Sequence, residues 1–390
     1  MLVGIGVALW VLALPPSLCA PQRILVGCVV GLIMVDSGIA RFYASPYTET
    51  AALLGVFLLC PALLWLLSQR RYTWGPLLAV AGIGTFTLVA KTQMISMWPA
   101  LIVVLLLRPS LPARWHAGLR TPRSRGPIRR SRLIHWLWVR LPALALALIV
   151  TTAAFGTMSS QPKRYSEINA YSQIFTTMLP MSPNPQNDLR WFGLDPALAR
   201  GSGTNIYSSN TVAYEPAYQD FTEAVTEGKV AMFYLSQPGR FVKLVDTGMK
   251  GMAGYGTETY MANYPAEAGL APYAKENRIA VITWMASVFR AVPWLFALQW
   301  LLVLLVCVTV ARRSRRAPRR QSVGILGLVL LGALTTQFWA VMMSEGQNEI
   351  FKHMVVVDQM MFLTIPVLLT AWLQRRKSHV LVNADAAGKS

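Results

Sequence analysis

The chain has 390 residues, of which 54% are apolar and only 14% charged, and its formal net charge is +19. A soluble globular chain carries about 25% charged residues. These values exclude a soluble enzyme, a disordered chain and a disulfide scaffold, and the position of the charge decides between nucleic-acid binder and membrane protein.

The charge is segregated. Residues 156–280 hold 10 Lys+Arg and 11 Asp+Glu, while the rest of the chain holds 26 and 6. The excess cations cluster at Arg70–Arg71, Arg108–Arg140, Arg312–Arg320 and Arg375–Lys377, each beside a long apolar run. That is the positive-inside pattern of a multi-pass membrane protein. Nucleic-acid binding needs basic and aromatic residues on one folded surface, and short basic loops between apolar runs do not provide it.

A helix needs about 20 mostly apolar residues to cross a bilayer. In chain order the candidate spans are 2–18, 24–40, 51–67, 75–90, 94–108, 138–155, 293–311, 322–343 and 355–374. The sequence therefore predicts an all-α fold: a polytopic transmembrane helical bundle of about nine spans. Residues 1–155 form an N-terminal transmembrane region with a basic cytoplasmic loop at 108–136. Residues 156–292 form a mostly helical extracytoplasmic insert, 293–374 a second transmembrane region and 375–390 a cytoplasmic tail. All four basic clusters fit one orientation. It puts the short turn at Lys91–Gln93 and the loops 41–50 and 344–354 on the outer face with the insert.

Met1 lies at the edge of an apolar run with no basic region before it, so no secretory signal is read there. Leu18-Cys19-Ala20 lacks the small residue that a lipoprotein signal places before its cysteine. The expectation is a chain that begins within a longer membrane protein. Cys19, Cys28, Cys60 and Cys307 all lie in or beside apolar runs and read as buried structural thiols.

Within the insert, Met181–Asp188 reads as loop. A short helix ends at Gly193, another starts near Pro196, and Gly201–Thr204 reads as flexible. Pro216–Leu235 has helical spacing, broken by Pro238-Gly239, and Arg240–Met252 resumes as helix. Residues 279–292 read as an interfacial lead-in to the next span. Trp98, Trp284 and Trp294 read as belt aromatics at the membrane boundary.

Ionisable groups in or beside a membrane are costly and are functional candidates by default. Outside the insert the carboxylates are Asp36, Glu49, Glu345, Glu349, Asp358 and Asp385. Asp385 sits in the tail; the other five fall in or near the outer half of the membrane. Glu49 and Asp36 are the candidate catalytic residues, binding or activating an acceptor. Tyr47, Lys91, Gln93, Glu345, Glu349, Lys352, His353 and Asp358 are candidate substrate contacts. In this group a carboxylate is suited to general base, and the cations to a departing phosphate. Each has a plainer role open to it. Glu345, Glu349 and Lys352 have the spacing of one ion-paired helical turn, and Asp36 before Ser37-Gly38 suits a helix end. Asp358 has Lys352 and His353 as available partners, and Lys91 suits an interfacial anchor. No Gly-x-Ser-x-Gly elbow, Walker loop, dinucleotide fingerprint or His-Glu-x-x-His motif is present. The four histidines are scattered, so no metal site is expected; no cofactor is expected, and nothing in the sequence supports a divalent cation.

Four stretches carry a family resemblance: Phe42–Leu54, Ala90–Gln93, Tyr171–Pro185 continuing through Asp188 to Leu194, and Phe233–Arg240. In this order they resemble the bacterial glycan-biosynthesis hexose transferases of the WsfD type. That family is similar to the GT-C class of polytopic glycosyltransferases. The resemblance covers most of the chain from about Val26. It implies a plasma-membrane protein, with its C-terminus cytoplasmic, that takes a hexose from a polyprenyl-phosphate donor. The acceptor it implies is a cell-envelope glycan on the outer face. GT-C enzymes carry their catalytic carboxylate on the first outer loop, which this chain lacks, so no catalytic residue carries over by position. Partners implied are the bilayer, the lipid-linked donor and the glycan acceptor, with no nucleic acid; the oligomeric state is left open. Two other functions stay in play. One is a lipid-linked glycan flippase or transporter, which predicts broken helices and polar residues in mid-membrane. The other is a non-catalytic assembly subunit or truncated remnant.

Overall fold

A computed structural model describes residues 1–44, 48–69, 73–107, 128–162, 164–254, 266–271, 274–315 and 317–387. Among these residues the fold is helical and contains no strand. Nine apolar segments form helices, but only five are long enough to cross a membrane alone: Glu49–Ser68, Arg140–Ser159, Trp294–Arg313, Pro318–Ser344 and Ile350–Arg375. A sixth span is possible if Ala20–Val35 and Ser37–Ala44, bent by 48° at Asp36, count as one broken crossing. The helices Leu2–Ala13, Trp74–Val89 and Thr92–Leu107 are apolar but shorter. The expected nine crossings thus become five or six full-length ones with shorter helices packed among them.

Cys60 and Cys307 are buried as expected, whereas Cys19 and Cys28 are exposed. Exposure also separates the long helices. The Trp294–Arg313 helix is mostly exposed, with Leu298, Leu301, Leu302 and Leu305 on its surface. Such a face is stable only in hydrocarbon. The Ile350–Arg375 helix is mostly buried and also carries polar side chains: His353, Asp358, Gln359, Thr364 and Thr370. Thr364 and Thr370 bond their own helix, to the carbonyls of Met361 and Pro366 at 2.6 and 2.7 Å. The Pro318–Ser344 helix packs along both neighbours. At Gly327 a Cβ would run into Cys307 Sγ, so this glycine sets how closely the Trp294–Arg313 helix approaches.

The insert is a helical cap. Asn184 Oδ1 accepts the Asn187 N–H at 3.2 Å and starts the Pro185–Phe192 helix inside the segment expected to be loop. Gly193, at φ 82°, ends that helix as expected. Asp195 caps the Pro196–Gly201 turn through the Ala197 N–H at 2.8 Å. The helix expected over Pro216–Leu235 is three pieces, Pro216–Tyr218, Phe221–Ala224 and Glu227–Ser236. Thr226 causes the last break by capping the Lys229 N–H at 3.3 Å. Gly201–Thr204 is pinned rather than flexible: Gly203 N–H donates to the Phe175 carbonyl at 2.7 Å, and Thr204 Oγ1 meets Tyr171 Oη at 2.6 Å.

Three contacts seat the insert on one end of the bundle. Phe241 stacks on Trp339 with ring centroids 5.2 Å apart. Gly251 of the Pro238–Met252 helix lies against Ile350 where a Cβ would not fit. Thr177 Oγ1 accepts the Gln347 N–H at 2.7 Å. The lead-in expected over 279–292 is the Val281–Ala291 helix, with Ile282 and Ala286 buried and Trp284 and Val288 exposed. Trp284 and Trp294 are exposed in the manner of belt aromatics, whereas Trp98 is half-buried and donates to Thr151 Oγ1 at 2.8 Å.

Candidate functional site

Four segments, far apart in sequence, converge where the bundle meets the insert. Glu49 is the first residue of its helix, where a carboxylate is favoured by the helix dipole. It is only 2% exposed, and its Oε1 accepts from Lys91 Nζ at 2.6 Å. Lys91 is the N-cap of the Thr92–Met97 turn and stays 15% exposed. Its ammonium also reaches His353 Nδ1 at 3.0 Å, in the first turn of the Ile350–Ala387 helix. Gln93 Nε2 approaches the same Nδ1 at 3.1 Å and donates to Glu345 Oε1. The other Glu345 oxygen meets His353 Nε2.

The hydrogen bonds assign the tautomer. Lys91 and the Gln93 amide are donors only, so His353 Nδ1 accepts and Nε2–H donates to Glu345. Burial alone would raise the Glu345 carboxyl. The His353 hydrogen bond, the Lys91 charge and the Gln93 bond outweigh it and hold the group below the usual glutamate range. The result is a closed relay, Glu49–Lys91–His353–Glu345, buttressed by Gln93. Below Gln93, Ser96 Oγ donates to Gln337 Oε1 at 2.6 Å, while Gln337 Nε2 is buried without a partner among the described residues.

Residues 1–387 match the family model described as the YfdI N-terminal transmembrane domain. The chain belongs to this family. No curated protein and no solved structure matches it. The family description names a transmembrane domain, in agreement with the helical bundle, and names no reaction.

Within this YfdI-type domain the other candidate residues lie apart from the relay. Lys352 and Glu349 form an i,i+3 ion pair of their own, so the plainer reading holds for them but not for Glu345. Asp36 is fully buried and holds four donors. Oδ1 accepts from Gly38 N–H at 3.0 Å and Thr283 Oγ1 at 2.6 Å; Oδ2 accepts from Ile282 N–H at 2.7 Å and Thr283 N–H at 3.2 Å. It clasps the broken helix to the start of the Val281–Ala291 helix. Asp358 is fully buried, and neither of its oxygens has a hydrogen-bond partner among the described residues. Tyr47 lies outside the described residues. No group of three or more His, Cys, Asp or Glu gathers as a metal site among the described residues.

One residue near the site was missed in the sequence. The Arg41 guanidinium lies 4.9 Å from the centroid of the Phe351 ring, on the same helical turn as His353. Its signal was present: an arginine on the side of the membrane that the charge rule leaves poor in cations. Thr177, which meets the loop beside Glu345, gave no signal, because a threonine in an insert is unremarkable until the fold places it.

Proposed function

We propose that this chain is the membrane part of a GT-C-like hexosyltransferase, using a polyprenyl-phosphate hexose as donor and a cell-envelope glycan as acceptor. The observation that carries the reading is the buried Glu49–Lys91–His353–Glu345 relay at the insert-facing end of the bundle. It pairs a carboxylate with a cation, as transfer from a phosphate leaving group requires. At rest Lys91 sits on Glu49. A donor phosphate competes for that ammonium, and as Lys91 turns to it Glu49 is released as general base. Glu49 then takes the proton of the acceptor hydroxyl while its oxygen attacks the anomeric carbon. The bond from that carbon to the phosphate oxygen breaks, the electron pair stays on the phosphate, and Lys91 neutralises it. His353 and Glu345 hold Lys91 in place. The insert and this end of the bundle face outward, which the charge segregation supports.

The test is transfer of labelled hexose from polyprenyl-phosphate hexose by the full chain in proteoliposomes. Lys91→Ala is expected to lower transfer by about two orders of magnitude or more, with Lys91→Arg retaining part of it. Undiminished transfer by a folded Lys91→Ala protein would sink the assignment.

A transporter or flippase is the second reading. The 48° break at Asp36 and an Asp358 inside a span without a hydrogen bond among the described residues favour it. It predicts that donor lipid crosses the membrane without losing its sugar, which the same proteoliposomes report.

A further inference from the structure

The insert carries a groove that the relay does not use. Two adjoining cavities, of about 590 and about 440 Å³, share Glu167, Ala213, Tyr214 and Thr222 as lining. Sites for small ligands occupy about 300–1,000 Å³. The Tyr214 ring is 81% exposed, so a flat aromatic face stands at the groove without cover. Glu167 supplies a carboxylate, Gln219 an amide and Thr222 a hydroxyl.

Tyr218 adds the second observation. It lines the smaller cavity and is only 5% exposed; its hydroxyl lies beside the Glu167 carboxylate and makes no other hydrogen bond among the described residues. Burial, and then the charge of Glu167, push this phenol upward, so it remains a donor at any physiological pH. Buried phenol oxygens are rarely left without a close polar neighbour; here the hydroxyl is closed off behind the cavity wall, with the Glu167 carboxylate beside it. An aromatic face with a carboxylate, an amide and a hydroxyl around it suits a pyranose. The C–H face of the ring packs on Tyr214, and the sugar hydroxyls pair with Glu167, Gln219 and Thr222. Arg164 is the one cation lining the groove among the described residues; Glu167 offsets it and Glu215 is already paired with Arg200, so the groove carries no net positive charge for an anionic ligand.

The groove also lies in line with the relay. The Arg164–Tyr171 helix runs directly into the Ser172–Met178 turn. Thr177 of that turn bonds the Gln347 backbone, two residues from Glu345. At about 1.5 Å per residue, Glu167 lies no more than roughly 15 Å along the helix from Thr177.

We propose that this groove binds a chain of neutral pyranoses: the part of the acceptor glycan that does not react, its terminal sugar reaching the Glu49–His353 relay. The proposal rests on reading the relay as a glycosyl-transfer centre. The experiment is saturation-transfer NMR on the full chain in nanodiscs. The probes are maltohexaose, a β-1,3-glucan hexamer and oligosaccharides cut from the envelope polysaccharide of the native cells. A Ser/Ala hexapeptide and inorganic phosphate serve as comparison probes. At least one saccharide is expected to bind saturably, and Tyr214→Ala and Glu167→Gln to weaken it by about tenfold each. Tyr214 is exposed, so its variant tests binding rather than folding. The proposal is overturned if no saccharide binds at millimolar concentration, if both groove variants bind as the native chain does, or if peptide or phosphate binds in their place. Glu49→Gln separates the two claims. Its loss of transfer tests the relay, while saccharide binding by that same variant tests the groove alone.

Discussion

Asp36 and Asp358 are both fully buried. Their surroundings give them opposite roles. Asp36 accepts from Gly38, Ile282 and both donors of Thr283, so its removal strands buried backbone N–H groups. Asp36→Ala is expected to cost about 3–5 kcal/mol, the range for stripping one partner from a buried charged network. A thermal melt of the detergent-solubilised protein reads this as a clear drop in midpoint, and an unmoved midpoint would show that the clasp bears no strain. Asp358 makes no hydrogen bond among the described residues. Asp358→Asn is therefore expected to leave the midpoint within about 1 kcal/mol equivalent or to raise it. A large drop would mean that the carboxyl has a partner. The same contrast explains why the sequence ranked both residues alike: each is an acid in an apolar run, and only the partners tell a helix clasp from an orphan.

The loop between Ser344 and Ile350 is the element that brings Glu345 to the relay. Gly346 has φ 60° and lies against Thr177, and Glu349 has φ 43°, unusual for a residue with a Cβ. Gly346→Ala is expected to push the loop off Thr177 and loosen Glu345 from His353. Lower hydrogen-exchange protection at 345–353 would report it, and unchanged protection would contradict it. Acid should act on the same element. The folded Glu345 carboxyl is held below the ordinary 4.5, so its stabilisation is complete above that value and is lost as pH falls through the folded one. Glu345→Gln should flatten the acid limb of stability below about pH 4.5 without changing the neutral midpoint's pH dependence; an identical acid limb in the variant would refute the coupling. Glu345, Glu349 and Lys352 share helical spacing in the sequence. They divide in space because the helix begins only at Ile350, which leaves Glu345 on the turn and facing inward.

At the scale of the molecule, charge segregation and apolar runs were enough to reveal an all-helical membrane protein with a helical insert. Span number was less legible. Apolarity marks a buried helix and a crossing helix alike, and Trp74–Val89 or Thr92–Leu107 differ from a full span only in length. The site was legible as residue types on one face, Glu49, Lys91, Gln93, Glu345 and His353, but not as a relay, since His353 links segments more than 250 residues apart. The groove at Glu167 and Tyr214 was invisible, because it is made by folding a loop across a helix. Orientation is open to a direct check. In a cysteine-free background, Ser209→Cys is expected to react with an impermeant maleimide in intact cells, and Arg315→Cys only after permeabilisation; the reverse pattern would turn the relay inward. The central claim is tested most directly by single-turnover transfer of labelled hexose from polyprenyl-phosphate hexose, native chain against Glu49→Gln. The account predicts transfer by the native chain and a loss of about two to four orders of magnitude in the variant. Equal transfer by both would contradict it.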